Sequence, residues 1–307
     1  MILSEIYSLL RGSPPAAESL RNMYTKLGGI PRRCFRALYG DGEQHEMQLI
    51  RHAIDQIHDI KEFWQSATGP LPFKNNVSHA LVRIEPTDDQ WLEQTTDLLS
   101  KHVAELVYER ISLHSTLDVR DSVNYILREP KARSWAGKLF EVGVHRAFRN
   151  GVELQPEAMD QGAPALRVQI WWAKSEAVGY FHTLSVREKP GSRKVAKHIL
   201  DQYLIPLSST AETIDSVYIS ETVTVLFQIT ISPKHDLNLK GIMELINELP
   251  ATAKQRICIL FIVPDHETTV HPYQRQTIVV PHGVPDDVSK MIIGYHQYVY
   301  YFPMSQL

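Results

Sequence analysis

The sequence is poor in cysteine, with only Cys34 and Cys258 among 307 residues. They lie far apart and outside any metal-ligand spacing, which argues against a disulfide framework and favours a reducing compartment. No run approaches the roughly 18 consecutive apolar residues of a membrane-spanning helix, so no membrane association is expected. The opening residues, MILSEIYSLL, lack the basic start and the small-residue cleavage site of a secretory signal.

An excess of charge of one sign is also missing. The formal net charge is −3, and 43% of residues are hydrophobic, which is ordinary for a globular protein. Bulk charge therefore does not indicate a nucleic-acid-binding protein, and such binding would need a local basic face. Segment 187–198, REKPGSRKVAKH, is one candidate, with helical character expected from Gly191 onward. The alternative is an ordinary solvated surface. Its candidate phosphate-binding residues are Arg187, Lys189, Arg193, Lys194 and Lys197.

The pattern of apolar residues predicts a mixed α/β protein in which a helical N-terminal region precedes a mixed sheet flanked by helices. Residues 1–67 are predicted to be helical, with one helix over 43–66. Residues 77–130 form a connector with a strand, HALVRIEP, and a long helix over 87–113 that Thr87 caps. Residues 131–307 form the α/β domain.

Polar side chains interrupt an apolar strand in TIDSVYISETVTVLFQITISPKH, residues 213–235. Gln228 and Thr230 are two residues apart and share one face of that strand. Asp215 is expected at the end of the neighbouring strand, facing the same cleft. One carboxylate and one amide oxygen are a minimal ligand set for Mg²⁺, which activates water for attack on a phosphodiester. The alternative is structural: Gln228 and Thr230 bond backbone or each other, and Asp215 caps a turn before Ser216.

The order of these features resembles the PD-(D/E)xK restriction-endonuclease-like superfamily. That pattern has a helical glutamate, a strand-end aspartate and a polar-x-polar strand. Glu141, in GKLFEVGVHRAF, matches the glutamate, and Asp215 matches the aspartate. Gln228 stands at the (D/E) position and Thr230 at the lysine position. The resemblance implies Mg²⁺ held by Asp215 and Gln228, with Glu141 supporting it through water.

From about Leu27 onward the chain more narrowly resembles Crinkler and retrotransposon-hot-spot type proteins. The phrases that carry this resemblance are LGGIPRRCF, SHALVRIEP, LFEVGVHRAF, IDSVYI, VLFQITISPKH and ICILFIVP. In that group a P-loop NTPase precedes a nuclease-like domain. The resemblance implies an effector that is secreted into a host cell and acts on DNA or on host nuclear proteins in the host nucleus, triggering cell death.

Two departures from these patterns shape the expectations. No GxxxxGK[ST] motif occurs, so the chain alone is not expected to hydrolyse ATP and is expected to be part of a larger protein or a truncated relative. LGGIPR resembles only the lid of such NTPases, which makes Arg32 the remnant of a nucleotide contact. Thr230 replaces the lysine that would stabilise the reacting phosphorus. Lys234 and His235, four and five residues on, are candidate substitutes, with His235 as a proton shuttle.

Two hypotheses follow. In the first, this is a Crinkler-like effector module whose nuclease-type domain binds DNA and cleaves it with Mg²⁺. In the second, the site is catalytically dead and the fold serves as a DNA- or protein-interaction module.

Overall fold

The computed structural model describes most of the chain, in two compact units, Met1–Val142 and Gly143–Leu307. The described residues are 16–38, 41–57, 63, 65, 80–86, 94–113, 116–129, 132–170, 178–181, 186–189, 192–194, 201–206, 214–220, 222–249 and 256–307. Lys197 and Thr87 lie outside them. Among the described residues no helix is both long and apolar enough to cross a membrane.

The first unit is mainly helical, as predicted for the N-terminal region. It also contains one antiparallel strand pair, β1 with β2. Apolar residues from several helices are fully buried, among them Leu27, Ile50 and Val107. Its elements are α1 (Ala17–Leu27), α2 (Pro31–Ala37), α3 (Gly42–Asp55), β1 (Val82–Pro86), β2 (Gln94–Leu98), α4 (Lys101–Ser112), α5 (Thr116–Arg128) and most of α6 (Arg133–Arg149).

The second unit is built around a mixed seven-stranded sheet with the order β4-β15-β13-β11-β10-β9-β6. Its remaining elements are β3 (Val152–Leu154), β4 (Glu157–Ala158), β5 (Val168–Ile170), β6 (Val178–Phe181), β7 (Val186–Lys189), β8 (Ser192–Lys194), β9 (Gln202–Pro206), β10 (Ser216–Ile219), β11 (Thr224–Ile229), β12 (Leu237–Asn238), α7 (Leu239–Glu248), β13 (Ile257–Asp265), β14 (Ile278–Val279), α8 (Asp286–Ile293), β15 (His296–Pro303) and a 3₁₀ turn (Met304–Gln306). The predicted class, mixed α/β with a helical region before a mixed sheet, is confirmed.

Helices cover both faces of this sheet. On one face, Phe148 from the last turn of α6 packs edge-on against Tyr203 of β9 and Phe227 of β11. On the other, Ile242 of α7 shares a buried cluster with Leu226. The parallel neighbours β11 and β13 are buried along nearly their whole length, which explains why their sequences are mainly apolar.

Three predicted elements were wrong. The helix expected over 87–113 is strand β2 followed by the separate helix α4, which Ser100 caps by accepting a hydrogen bond from the Val103 amide at 3.1 Å. The helix expected over 43–66 ends at Asp55. The basic segment is strand, not helix, at Ser192–Lys194. In the first and third cases pairing with another strand supplied hydrogen bonds that local periodicity does not reveal.

Candidate functional site

The candidate site lies where β10 begins and β11 ends. These strands are antiparallel and pair Ser216 with Phe227, so the preceding residue, Asp215, comes opposite Gln228. The Asp215 amide donates to the Phe227 carbonyl at 2.9 Å, which extends the ladder by one bond. Asp215 therefore lies immediately before a strand, and its predicted place at the end of one was wrong. Because antiparallel neighbours begin and end at the same edge, the three polar positions still meet there.

The side chains of Asp215 and Gln228 are in direct contact. Gln228 Nε2 donates to Asp215 Oδ2 at 2.8 Å, and the backbone amide of Ile229 donates to the same oxygen at 2.6 Å. Gln228 is only 4% exposed, whereas Asp215 is half-buried. One oxygen of the Asp215 carboxylate thus accepts two hydrogen bonds, both from residues at the end of β11.

The amide oxygen of Gln228 is the unusual atom of this site. Gln228 Oε1 is buried and has no hydrogen-bond partner among the residues that the structure describes. Leaving a buried polar atom unsatisfied costs about 1–3 kcal/mol. The alternation of strand β11 places Gln228 on the face opposite Phe227, beside its parallel partner position Phe261. Burial in this apolar layer makes a polar ligand or a bound cation the natural means of satisfying Oε1.

Thr230 follows the last residue of β11 and is buried. Its backbone amide donates to the Ile262 carbonyl at 2.9 Å, and its hydroxyl accepts a hydrogen bond from the Ser232 amide at 3.0 Å. The hydroxyl therefore stabilises the turn that leaves the strand. It carries no charge toward the Asp215 carboxylate, as the sequence predicted.

The predicted substitutes for the missing lysine lie in the loop after that turn. Lys234 is exposed over 76% of its side chain, and its Nζ lies 4.0 Å from Asp236 Oδ2. His235 is half-buried, and its backbone amide donates to Gln276 Oε1 at 2.6 Å. Burial lowers the pKa of His235, against the opposing effect of the Asp236 carboxylate, so its imidazole is neutral at neutral pH.

Glu141 belongs to the first unit, near the middle of helix α6. Its carboxylate accepts a hydrogen bond from Lys101 Nζ at 2.6 Å. Among the described residues, no group of three or more His, Cys, Asp and Glu side chains is arranged to hold a metal ion.

Hydrogen bonds connect the loop after β13 to the loop after β11, at the carboxyl edge of these parallel strands. Tyr273 donates from its hydroxyl to the Ser232 carbonyl at 2.8 Å, and Gln276 receives the His235 amide. The side chain of Gln297 in β15 bonds the backbone of Gln276 twice, since its Oε1 accepts from the Gln276 amide at 2.8 Å and its Nε2 donates to the Gln276 carbonyl at 2.9 Å. Loops at this edge are where ligands bind in open α/β sheets. No local sequence pattern indicates this glutamine pair, because its members are 21 residues apart.

A second polar cluster contacts the start of β10 on the opposite face of the sheet from Gln228. Tyr203 accepts a hydrogen bond from Ser216 Oγ at 2.6 Å and its hydroxyl lies 2.6 Å from His145 Nδ1. All three residues are almost completely buried. Ser216 directly follows Asp215, so this cluster holds the start of β10 in place. Its burial marks it as a structural network rather than a solvent-accessible catalytic group.

The predicted nucleotide-lid residue has a different setting from its neighbour. Arg32 is exposed in the first turn of α2, whereas Arg33 Nε donates to the buried Glu46 carboxylate at 2.7 Å. Gly28 ends α1 with φ +65°, and a Cβ there would lie 1.6 Å from the Leu99 carbonyl oxygen. The Gly-Gly-x-Pro sequence thus has a structural explanation in this unit: a helix stop, a close backbone approach and the start of α2.

The comparisons with known proteins add no relative: no protein-family model, no curated protein and no solved structure matches this chain.

Proposed function

We propose that this chain is a Crinkler-like effector module whose second unit is a nuclease-type domain that binds DNA together with Mg²⁺. One observation carries the proposal. At the edge of the sheet, the half-buried Asp215 carboxylate contacts Gln228, whose amide oxygen is buried without a partner among the described residues. An arrangement of this kind is costly for a purely structural role, and rotation of the Gln228 amide would turn Oε1 toward the Asp215 carboxylate to hold a cation.

The donor set fits a hard cation that keeps much of its water. Mg²⁺ prefers oxygen ligands and is commonly bound by one or two carboxylates, several waters and the phosphate of a substrate. Asp215 and Gln228 Oε1 would supply the protein ligands here. In the structure the Gln228 amide turns its NH₂ group toward Asp215. A cation between the two side chains would favour the opposite orientation, with Oε1 toward the metal.

DNA binding is expected to be stronger than cleavage. When bound, Mg²⁺ would polarise a phosphate and activate water. The neutral imidazole of His235 is suited to accept a proton at neutral pH. However, Thr230 contributes a hydroxyl to a turn where nucleases of this pattern have a lysine. The chain therefore lacks a cationic group at the position that would stabilise charge on phosphorus.

A second function, that of a non-catalytic interaction module, is favoured by a different observation. Asp215 Oδ2 already accepts hydrogen bonds from Gln228 and from the Ile229 amide, which is what a structural cap on β11 would do. In that case Asp215 keeps the strand end closed and the domain contacts DNA or host nuclear proteins through other surfaces.

Both functions are tested with a labelled DNA duplex and a supercoiled plasmid, each with Mg²⁺ or with a chelator. The proteins are the wild type, Asp215→Ala and, as a matched control, Asp265→Ala at the exposed end of β13. The proposal predicts that Mg²⁺ tightens duplex binding by the wild type and by Asp265→Ala but not by Asp215→Ala. Equal, Mg²⁺-independent binding by all three proteins would favour the interaction module. Absence of DNA binding by the wild type would contradict the proposal. Plasmid nicking that requires both Mg²⁺ and Asp215 would add catalysis.

A further inference from the structure

The loop after β13 carries an exposed imidazole ring that rests on a strand of the main sheet. His271 stacks on Tyr301 of β15, with ring centroids 4.1 Å apart and an angle of 21° between the ring planes. His271 is nevertheless exposed, so its accessible ring surface lies on the side away from Tyr301. We call His271 and Tyr301 together the stacked pair.

Hydrogen bonds on both sides of the imidazole in the sequence hold the stacked pair in place. Tyr273 donates from its backbone amide to Tyr301 Oη at 2.8 Å and from its own hydroxyl to the Ser232 carbonyl at 2.8 Å. On the other side, Thr269 Oγ1 donates to the Pro264 carbonyl at 2.6 Å. A ring that is already held in position binds a planar partner with a smaller loss of conformational entropy.

The stacked pair lies at the same edge and on the same face of the sheet as the candidate site. Gln228 pairs with Phe261, and Phe261 pairs with Val299, two residues before Tyr301. Because side chains two apart on a strand share a face, Gln228 and Tyr301 face the same side. Strand β15 is two strands from β11, a distance of about 10 Å. A nucleotide beside the Asp215–Gln228 site is therefore within reach of the stacked pair.

The chemistry of the stacked pair favours a planar aromatic ligand. Histidine is among the side chains on which unpaired bases stack, and such stacking accepts any base because every base has a π-face. The loop that Tyr273 bonds through Ser232 also carries Lys234, whose side chain is exposed. A lysine in that place can contact the phosphate of a nucleotide whose base lies on the imidazole.

We infer that the stacked pair binds an unpaired nucleobase of DNA on the open face of His271. This inference rests on the proposed DNA-binding function and deepens it by naming the substrate class. The bases of an intact duplex are stacked on one another and offer no free face to a side chain. The DNA that the second unit prefers is therefore a single strand, a strand end or an opened base pair.

The test is fluorescence anisotropy of the full chain with labelled oligothymidine and with an abasic strand of equal length, which keeps the phosphates but has no bases. The variants are His271→Ala and His271→Phe, which keeps a ring for stacking. The matched control is His282→Ala, at an exposed position between β14 and α8. His271→Ala is expected to bind oligothymidine about tenfold more weakly than the wild type, equivalent to about 1.4 kcal/mol. Its binding of the abasic strand should be unchanged, and His271→Phe and His282→Ala should resemble the wild type.

The contrary outcomes separate this inference from the proposed function. If His271→Ala binds oligothymidine like the wild type, loses the abasic strand equally, or is matched in its loss by His282→Ala, the stacked pair only anchors its loop. The inference then fails, although duplex binding that depends on Mg²⁺ and Asp215 would keep the proposed function. If the wild type binds neither duplex nor single-stranded DNA, both fail. Oligouridine bound as tightly as oligothymidine would overturn DNA as the source of the base.

Thermal unfolding of each variant shows whether a loss of affinity comes from misfolding. Should His271→Ala unfold at a lower temperature than the wild type, His271→Leu takes its place, because it keeps an apolar contact with Tyr301 but offers no aromatic face. The same tenfold loss on oligothymidine is then expected, and wild-type affinity in a folded His271→Leu protein would overturn the inference.

Discussion

Gln228 Nε2 donates to Asp215 Oδ2 at 2.8 Å across the edge of the central sheet. Gln228→Glu would place two carboxylates at this distance, in a place where the second is almost fully buried. The pKa of such a buried carboxyl is raised by its neighbour. The loss in free energy of unfolding of the Gln228→Glu protein is therefore absent below the unfolded-state pKa of the introduced carboxyl. The loss grows as the pH rises above that value. We expect a loss of roughly 2–3 kcal/mol in the free energy of unfolding at about pH 8, little loss at about pH 4, and partial rescue by Mg²⁺ at the higher pH.

The measurement is denaturant unfolding of Gln228→Glu and wild type at both pH values, with and without Mg²⁺. Gln274→Glu is the control, because Gln274 is exposed and its amide bonds only the Pro272 carbonyl in the described structure. A Gln228→Glu protein as stable at high pH as at low pH, and indifferent to Mg²⁺, would show that the two side chains do not face each other.

Gly28 is predicted to be irreplaceable for backbone reasons. Its φ of +65° already disfavours a side chain, and a Cβ would meet the Leu99 carbonyl oxygen at 1.6 Å. Gly283 has a similar φ of +87° but open space around it. Gly283→Ala should therefore cost about 1 kcal/mol from conformation alone, and Gly28→Ala several kcal/mol. Thermal unfolding of both variants checks this, and equal losses would contradict the close approach.

Asp160 is predicted to stabilise the second unit in a pH-dependent way. Burial works to raise its pKa, but hydrogen bonds from the Gln297 amide and from Arg275, with the charge of Arg275, together hold the pKa below its ordinary value. A carboxyl with a depressed pKa stabilises the fold above its unfolded-state pKa and loses that effect as the pH falls through the folded-state pKa.

Asp160→Asn should thus lower the free energy of unfolding by about 2 kcal/mol at neutral pH. Its difference from the wild type should shrink on acidification below about pH 4. Urea unfolding at neutral and acidic pH measures both quantities, with Asp265→Asn as a control at an exposed carboxylate. A deficit that is constant with pH would mean that the Asp160 charge is not responsible.

The sequence was most informative where local alternation determines which residues share a face. The polar-x-polar pattern of Gln228 and Thr230 predicted a polar edge on an apolar strand, and the neighbouring strand brought Asp215 to it. The end of α6 before Gly151 was also predictable, because a glycine that adopts a positive φ is a local signal. The buried strand Ile257–Asp265 was predictable from its continuous apolar run.

Features that depend on distant partners could not be predicted in this way. Gln94–Leu98 has residues that suit a helix, but its pairing with Val82–Pro86 made it a strand. The pairing of β8 with β7 made Ser192–Lys194 a strand where a basic helix was expected. The Gln276–Gln297 pair, and a Gln228 oxygen without a partner among the described residues, arise only when several loops come together. The sequence therefore predicted which polar residues lie together at the end of β11 better than it predicted what surrounds them.

If Asp215 and Gln228 together hold a divalent cation, calorimetric titration of the full chain with Mg²⁺ detects its binding. Mn²⁺ serves as a second probe. The proteins are the wild type and Asp215→Asn, which removes the charge while keeping an acceptor for the Ile229 amide. We expect one saturable site in the wild type and its loss in a folded Asp215→Asn protein. No binding by the wild type, or equal binding by both proteins, would contradict it.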